Sequence, residues 1–232
     1  MWTREDLKMR GKFAFRKNYW TAVLVAFVMS LFETIGAGSS AARGMSDGYN
    51  SGSTEAVAIS LVIAAVAMLG SLIAVILSIF VGNALEVSGC RFFITNQSEQ
   101  AQAGTLAYVF KCGNYGNVIL VMFLKDLYTF LWSLLFVIPG IVKSYEYCMV
   151  PYILAENPGM NRKEAFLISK RMMMGQKWNT FVLDLSFIGW RILEAITFGI
   201  LGIFYVEPYV QATYAELYAY NRSIAYQNGY IR

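Results

Sequence analysis

The chain has 232 residues, of which 57% are hydrophobic, 16% aromatic and only 15% charged, with a formal net charge of +4. So few charged residues would not coat soluble domains of this total length, and the composition reads as one integral membrane domain, 1–232, with no separate soluble domain. Histidine is absent, which excludes His-dependent hydrolysis and His-ligated metal sites; Cys90, Cys112 and Cys148 cannot all pair and form no CxxC, so they read as reduced side chains.

Residues 1–18 read as a basic cytoplasmic helix. Arg4, Lys8, Lys12 and Arg16 recur at i, i+4, but Arg10 and Lys17 lie on the far side, so no clean apolar face is expected. The first apolar run begins only near Tyr19, and Gly36-Ala37-Gly38-Ser39 is a poor cleavage site, so the run is read as a span rather than a secretory signal. A first hairpin over 19–85 pairs spans Tyr19–Ile35 and Ala56–Ala84 through an external Gly/Ser-rich loop, 36–54. No charged side chain stands between Glu55 and Glu86; as a helix this stretch is about 45 Å long, more than a ~30 Å hydrocarbon layer needs.

A second unit, 86–155, carries Asn117–Ile138 and a shorter Ile141–Ala155, with Pro139-Gly140 as the turn between them. A third, 156–220, begins with an amphipathic helix at 161–175, capped by Asn161 with Glu164 and stopped at Gly175. Trp178–Ile200 and Gly202–Tyr220 follow. Pro151 and Pro208 fall in the shorter partners, which are expected to be kinked or only partly inserted. The fold expected is therefore all-α: a polytopic bundle of about six spans in three hairpins, with four or five spans as alternatives.

The units resemble one another. Asn18-Tyr19-Trp20, Asn114-Tyr115-Gly116-Asn117 and Gln176-Lys177-Trp178-Asn179 each precede an apolar run. At one constant offset Gly113 meets Gly175, Asn117 meets Asn179, Phe136 meets Phe198, Gly140 meets Gly202 and Tyr147 meets Tyr209, the pattern of an internal repeat.

Lysine and arginine crowd the segments before, between and after the hairpins, leaving Arg43 alone on the other side. Both termini are thereby expected to face the cytoplasm. Arg4, Lys8, Lys12, Arg16, Lys163, Lys170, Arg171 and Lys177 are the candidate lipid-interface residues, with anionic headgroups at the inner face as the expected partner. Another membrane protein or a second copy is a further expected partner, with Met172-Met173-Met174 as an adaptable contact; nucleic acid is not expected.

Ionisable groups inside the apolar runs are the candidates for function: Glu33, Lys125, Asp126, Lys143, Glu146, Asp184, Arg191, Glu194 and Glu207. Each central charge costs roughly 3 kcal/mol to insert, so they are expected to pair. Lys143 with Glu146 and Arg191 with Glu194 stand at i, i+3, and Asp184 lies two turns below Arg191. A polar seam is expected where the fifth span meets the third and fourth. It is read as mutual neutralisation that sets helix register, as a hydrated pathway or ion-coupling site, or as snorkelling side chains. No nucleotide loop, nucleophile elbow or metal-spaced carboxylate cluster occurs. No cofactor is expected, and the chain is read as non-enzymatic.

The string Pro151-Tyr152-Ile153-Leu154-Ala155-Glu156-Asn157-Pro158, then Glu164-Ala165, Ser169-Lys170, Met174-Gly175 and Lys177-Trp178, resembles the uncharacterised bacterial integral-membrane family known as domain of unknown function 975. Leu183-Asp184-Leu185-Ser186-Phe187-Ile188-Gly189-Trp190, Thr197, Gly199-Ile200 and Pro208-Tyr209 continue the likeness, and the basic start Arg4 to Val25 is similar to that family's start. The resemblance implies a multi-span protein of the bacterial plasma membrane with no assigned reaction and no site residues to carry over. The chain also looks distantly like the membrane domains that accompany glycerophosphodiester phosphodiesterases, without their catalytic domain. Association with a membrane complex or with lipid is the expected role, with transport of a small solute or ion through the seam as the alternative.

Overall fold

In the computed structural model the described residues are 2–36 and 54–231, and of these the side chains of 32–36 and 54–60 are left aside. The expected external loop and the side chain of Glu33 thus lie outside the described residues.

Thr3 opens the first helix: its hydroxyl accepts from the Asp6 backbone N–H at 3.2 Å, satisfying one free donor of the first turn. α1 (Arg4–Lys17) carries Glu5 and Asp6 in its first turn and Arg16 and Lys17 in its last, each end opposing the helix dipole. α2 (Tyr19–Gly36) follows after Asn18. α3 (Thr54–Leu77) passes through a π turn at Ser78–Gly82 directly into α4 (Asn83–Ser98), making one helix about 65 Å long. The second apolar run was expected to end at Ala84. It continues because nothing from Leu85 to Ser98 interrupts helical backbone, and Val87, Cys90, Phe92 and Phe93 extend the apolar face into the core.

From Ser98 the chain doubles back along α4 through a short turn of helix at Ala103–Ala107 and α5 (Tyr108–Lys111). α6 (Tyr115–Leu135) and α7 (Val137–Tyr147) form a tight pair. α8 (Val150–Glu156), α9 (Arg162–Met172), α10 (Lys177–Leu185) and α11 (Ile188–Ile196) are short, and a π turn at Gly202–Val206 leads into α12 (Glu207–Gln227). No strand occurs among the described residues; the fold is all-α. Among the described residues two helical stretches, Leu61–Ser98 and Tyr115–Leu135, are long and apolar enough to cross a membrane.

Two expected helices are broken. The stretch 141–155 interrupts at Cys148-Met149, and 178–200 interrupts at Ser186-Phe187 and again past Ile196. At the second place Phe198 takes φ 50° and Gly199 φ 83°, a left-handed turn that no continuous helix contains. Gly113 and Gly175, aligned by the repeat, share φ 76° and each stands two residues before a helix.

α1 does have a buried face, contrary to the sequence reading. Leu7, Gly11, Ala14 and Phe15 pack on α12, and a Cβ at Gly11 would lie 2.7–2.9 Å from Thr213. Half of that stripe is glycine and alanine, so it shows as closeness of approach and not as hydrophobicity. α9 is capped by Asn161, whose side chain accepts from the Lys163 N–H at 3.0 Å. Its apolar arc, Ala165, Ile168, Ser169 and Met172, is covered by the protein's own α7, α8 and α12.

Apolar surface is concentrated instead on α3, at the α6–α7 turn and just past α11. None of the most apolar window of Leu61–Ser98 is buried, and Leu134, Ile138 and Phe198 are 74%, 76% and 96% exposed.

Candidate functional site

α4, α6, α11 and α12 bring charges from four parts of the sequence around one cavity of about 620 Å³. Lys125 Nζ on α6 lies 3.0 Å from Glu86 Oε1 on α4 and 3.4 Å from the neighbouring Asp126. Arg191 on α11 pairs with Glu194 one turn on, at 3.1 Å, and with Glu207 at the start of α12. Of the expected seam, Lys125, Asp126, Arg191 and Glu207 line this cavity, and Glu194 joins it through Arg191. Among the described residues Glu86, Asp126, Glu194 and Glu207 oppose only Lys125 and Arg191, which leaves an excess of negative charge.

Asp184 stands behind that wall. Its two carboxylate oxygens accept from the hydroxyls of Tyr145 and Tyr214, both at 2.6 Å, and Tyr214 in turn lines the cavity. Two phenol donors satisfy the carboxylate oxygens without a cation.

Lys143 and Glu146 belong to a separate cluster. The Glu146 side chain is 4% exposed and is held by Lys143 at 2.9 Å, Lys177 at 2.6 Å and Lys170 at 3.9 Å. The hydroxyl of Ser169 on α9 donates to the Glu146 carbonyl at 2.7 Å. Lys170 and Lys177, read from sequence as facing headgroups, thus turn onto this carboxylate and tie α9 and α10 to α7.

The remaining interface candidates lie elsewhere. Arg171 stacks over Tyr230 at 5.2 Å, and Lys163 lines a shallow hollow beside Tyr128 and Phe166. Arg16 is exposed and Lys12 half-buried. Arg4 and Lys8 line a second cleft, about 720 Å³, with Trp178. Burial, reinforced by the neighbouring Arg4, holds the Lys8 ammonium below its usual pKa.

Several participants escaped the sequence reading. Glu86 was taken only as the boundary of an apolar run, although Val87, Cys90 and Phe92-Phe93 beyond it signal that the helix carries on. Tyr145 and Tyr214 carry no charge and so gave no insertion penalty to notice. Glu156 accepts from Tyr218 at 2.7 Å and pairs with Arg222, joining α8 to α12 across a sequence distance no local spacing reveals. Among the described residues no group of three or more His, Cys, Asp or Glu could hold a metal ion.

No curated protein and no solved structure matches the chain, and no likeness to the membrane domains of glycerophosphodiester phosphodiesterases was found. The family match that exists does not reach the basic start Arg4–Val25 or the charged end of α4. It covers residues 135–225, from the α6–α7 turn to the last helix, and the family is the one described as protein of unknown function (DUF975).

Proposed function

We propose that this chain is a multi-pass protein of the bacterial plasma membrane, threaded as three helix pairs with both termini in the cytoplasm. It acts without a reaction of its own, by binding anionic lipid and associating with a membrane partner through its basic inner-face segments. The observation that carries the reading is the unburied apolar window of Leu61–Ser98. A soluble core would cover such a helix; lipid covers it at no cost. The shared φ of Gly113 and Gly175 before α6 and α10 supports a repeated hairpin. α10 with α11, and α7 with α8, reach the ~20 residues of a crossing only as broken pairs.

Cysteine labelling in intact and permeabilised cells tests the threading. Gly104→Cys, in open exposed space, should react only after permeabilisation, and Ile138→Cys at the α6–α7 tip should react from outside. Protection of Ile138→Cys from both sides would mean that this pair enters the bilayer without crossing it, and the six-span threading would be abandoned.

The cavity favours a second reading, passage of a small cation. Its excess carboxylates and the nearby Tyr147, Tyr152 and Tyr214 rings suit a monovalent or organic cation better than a compact divalent site. Reconstituted vesicles should then show cation flux that Asp126→Asn or Glu207→Gln reduces; absence of flux across alkali and organic ammonium ions would dispose of it.

A further inference from the structure

The second cleft differs in character from the first. It lies between the start of α1 and α10, and its lining holds Arg4, Lys8, Trp178, Asn179 and Ser186, with Glu5 as the lone carboxylate. Arg4 and Lys8 stand one turn apart. Among the described residues neither has a carboxylate within 4 Å, although every cation around the cavity of Lys125 and Arg191 has one. Lys8 Nζ is half-buried, donating to the Ser186 carbonyl at 3.0 Å and lying 4.2 Å from the centre of the Phe187 ring. Two like charges at i, i+4 with no counter-ion are unfavourable alone, and the protein holds one of them in a partly dry place.

Asn179 supplies an independent sign. Its repeat counterpart Asn117 uses its side-chain amide fully, donating to the carbonyls of Pro158 at 2.8 Å and Met160 at 2.9 Å. Asn179 lines the cleft, and among the described residues its side chain has no hydrogen-bond partner. The same structural position thus holds the protein together in one unit and is left open in the other. Trp178 stands at the cleft, 70% exposed.

We propose that this cleft binds a phosphate group, that of an anionic phospholipid in the inner leaflet. Arg4 and Lys8 supply the charge and the Asn179 amide a neutral donor. The Trp178 ring lies against the glycerol and upper acyl region, where indoles settle in a bilayer. Glu5 is outnumbered by the two cations and disfavours doubly charged headgroups, so a monoanionic diester is the matched chemistry. The lipid source rests on the membrane reading above; the phosphate chemistry does not.

The full-length protein in a neutral detergent, titrated with short-chain phosphatidylglycerol, short-chain phosphatidylcholine and inorganic phosphate, tests this by calorimetry or native mass spectrometry. Phosphatidylglycerol should bind, and more tightly than phosphatidylcholine. Arg4→Gln with Lys8→Gln should weaken it at least tenfold, Lys8→Arg alone should keep most of the binding, and Lys12→Gln with Arg16→Gln, outside the cleft, should weaken it by no more than about threefold. Trp178→Ala should weaken the lipid and leave inorganic phosphate unaffected. If phosphate binds with the same dependence on Arg4 and Lys8 but the lipid does not, the anion site stands and its source is a soluble phosphate. Lipid binding unchanged in a folded Arg4→Gln, Lys8→Gln variant overturns the proposal. A failed topology experiment alongside Arg4- and Lys8-dependent phosphate binding would remove the membrane reading and spare the site.

Discussion

Lys177 Nζ lies 2.6 Å from Glu146 Oε2, and the carboxylate it meets is 4% exposed. This contact fastens α10 to α7, with Lys143 and the Ser169 hydroxyl completing the surroundings. Glu146→Gln leaves two close ammonium groups facing a neutral amide and should lower stability by about 1–3 kcal/mol. Lys170, 3.9 Å away and 55% exposed, is a peripheral member, and Lys170→Ala should cost less than about 1 kcal/mol. Thermal and denaturant unfolding in micelles checks both; equal losses would mean the cluster is not organised around Glu146.

Asp184 depends on two phenols. Tyr145→Phe or Tyr214→Phe each removes one 2.6 Å hydrogen bond to the Asp184 carboxylate and should cost about 1–3 kcal/mol. A double-mutant cycle with Asp184→Asn should show coupling above about 0.5 kcal/mol for both tyrosines. Coupling for Tyr145 alone would detach Asp184 from the cavity wall that Tyr214 forms.

Gly11 and Gly189 should behave oppositely. A side chain at Gly11 meets the Thr213 backbone on α12, so Gly11→Val should separate α1 from α12 and cost at least about 2 kcal/mol. Nothing lies within 4 Å of a Cβ at Gly189, and Gly189→Ala should stay within about 0.5 kcal/mol of the parent in the same unfolding assay.

Glu86 should matter as much as the seam residues read from sequence. Glu86→Gln removes the 3.0 Å partner of Lys125 and leaves only Asp126, itself 53% exposed. A loss of about 1–3 kcal/mol is expected, and Lys125→Met in the same background should recover part of it. No recovery would show that Glu86 stabilises α4 by some other contact.

Much of the site was legible because a charge in an apolar run announces itself. Lys125, Asp126, Arg191 and Glu207 were singled out by that cost alone, and three helices, α6, α11 and α12, carry them to one cavity. Glu194 was legible through its i, i+3 spacing from Arg191. Lys177, read as facing headgroups, meets Glu146 instead, because a lysine beside an apolar segment looks the same whether it faces headgroups or a carboxylate three helices away. The buried stripe on α1 was invisible because a glycine contributes closeness, which no hydropathy scale records.

By itself the sequence determined that the fold is all-α among the described residues and where the longest apolar stretch lies, because helix periodicity and hydropathy are properties of neighbouring residues. It also marked Gly175 as a stop, since a left-handed φ of 76° there is a local demand, whereas the turn expected at Pro139-Gly140 falls instead at Phe136, with both residues inside α7. Tertiary structure alone decided that Glu86 answers Lys125, that Tyr145 and Tyr214 share Asp184, and that Arg4 and Lys8 are left beside an open amide. Those pairings join helices far apart in sequence. Which charge is neutralised and which is left for a ligand depends on what packing brings within about 4 Å, a distance over which sequence spacing has no say.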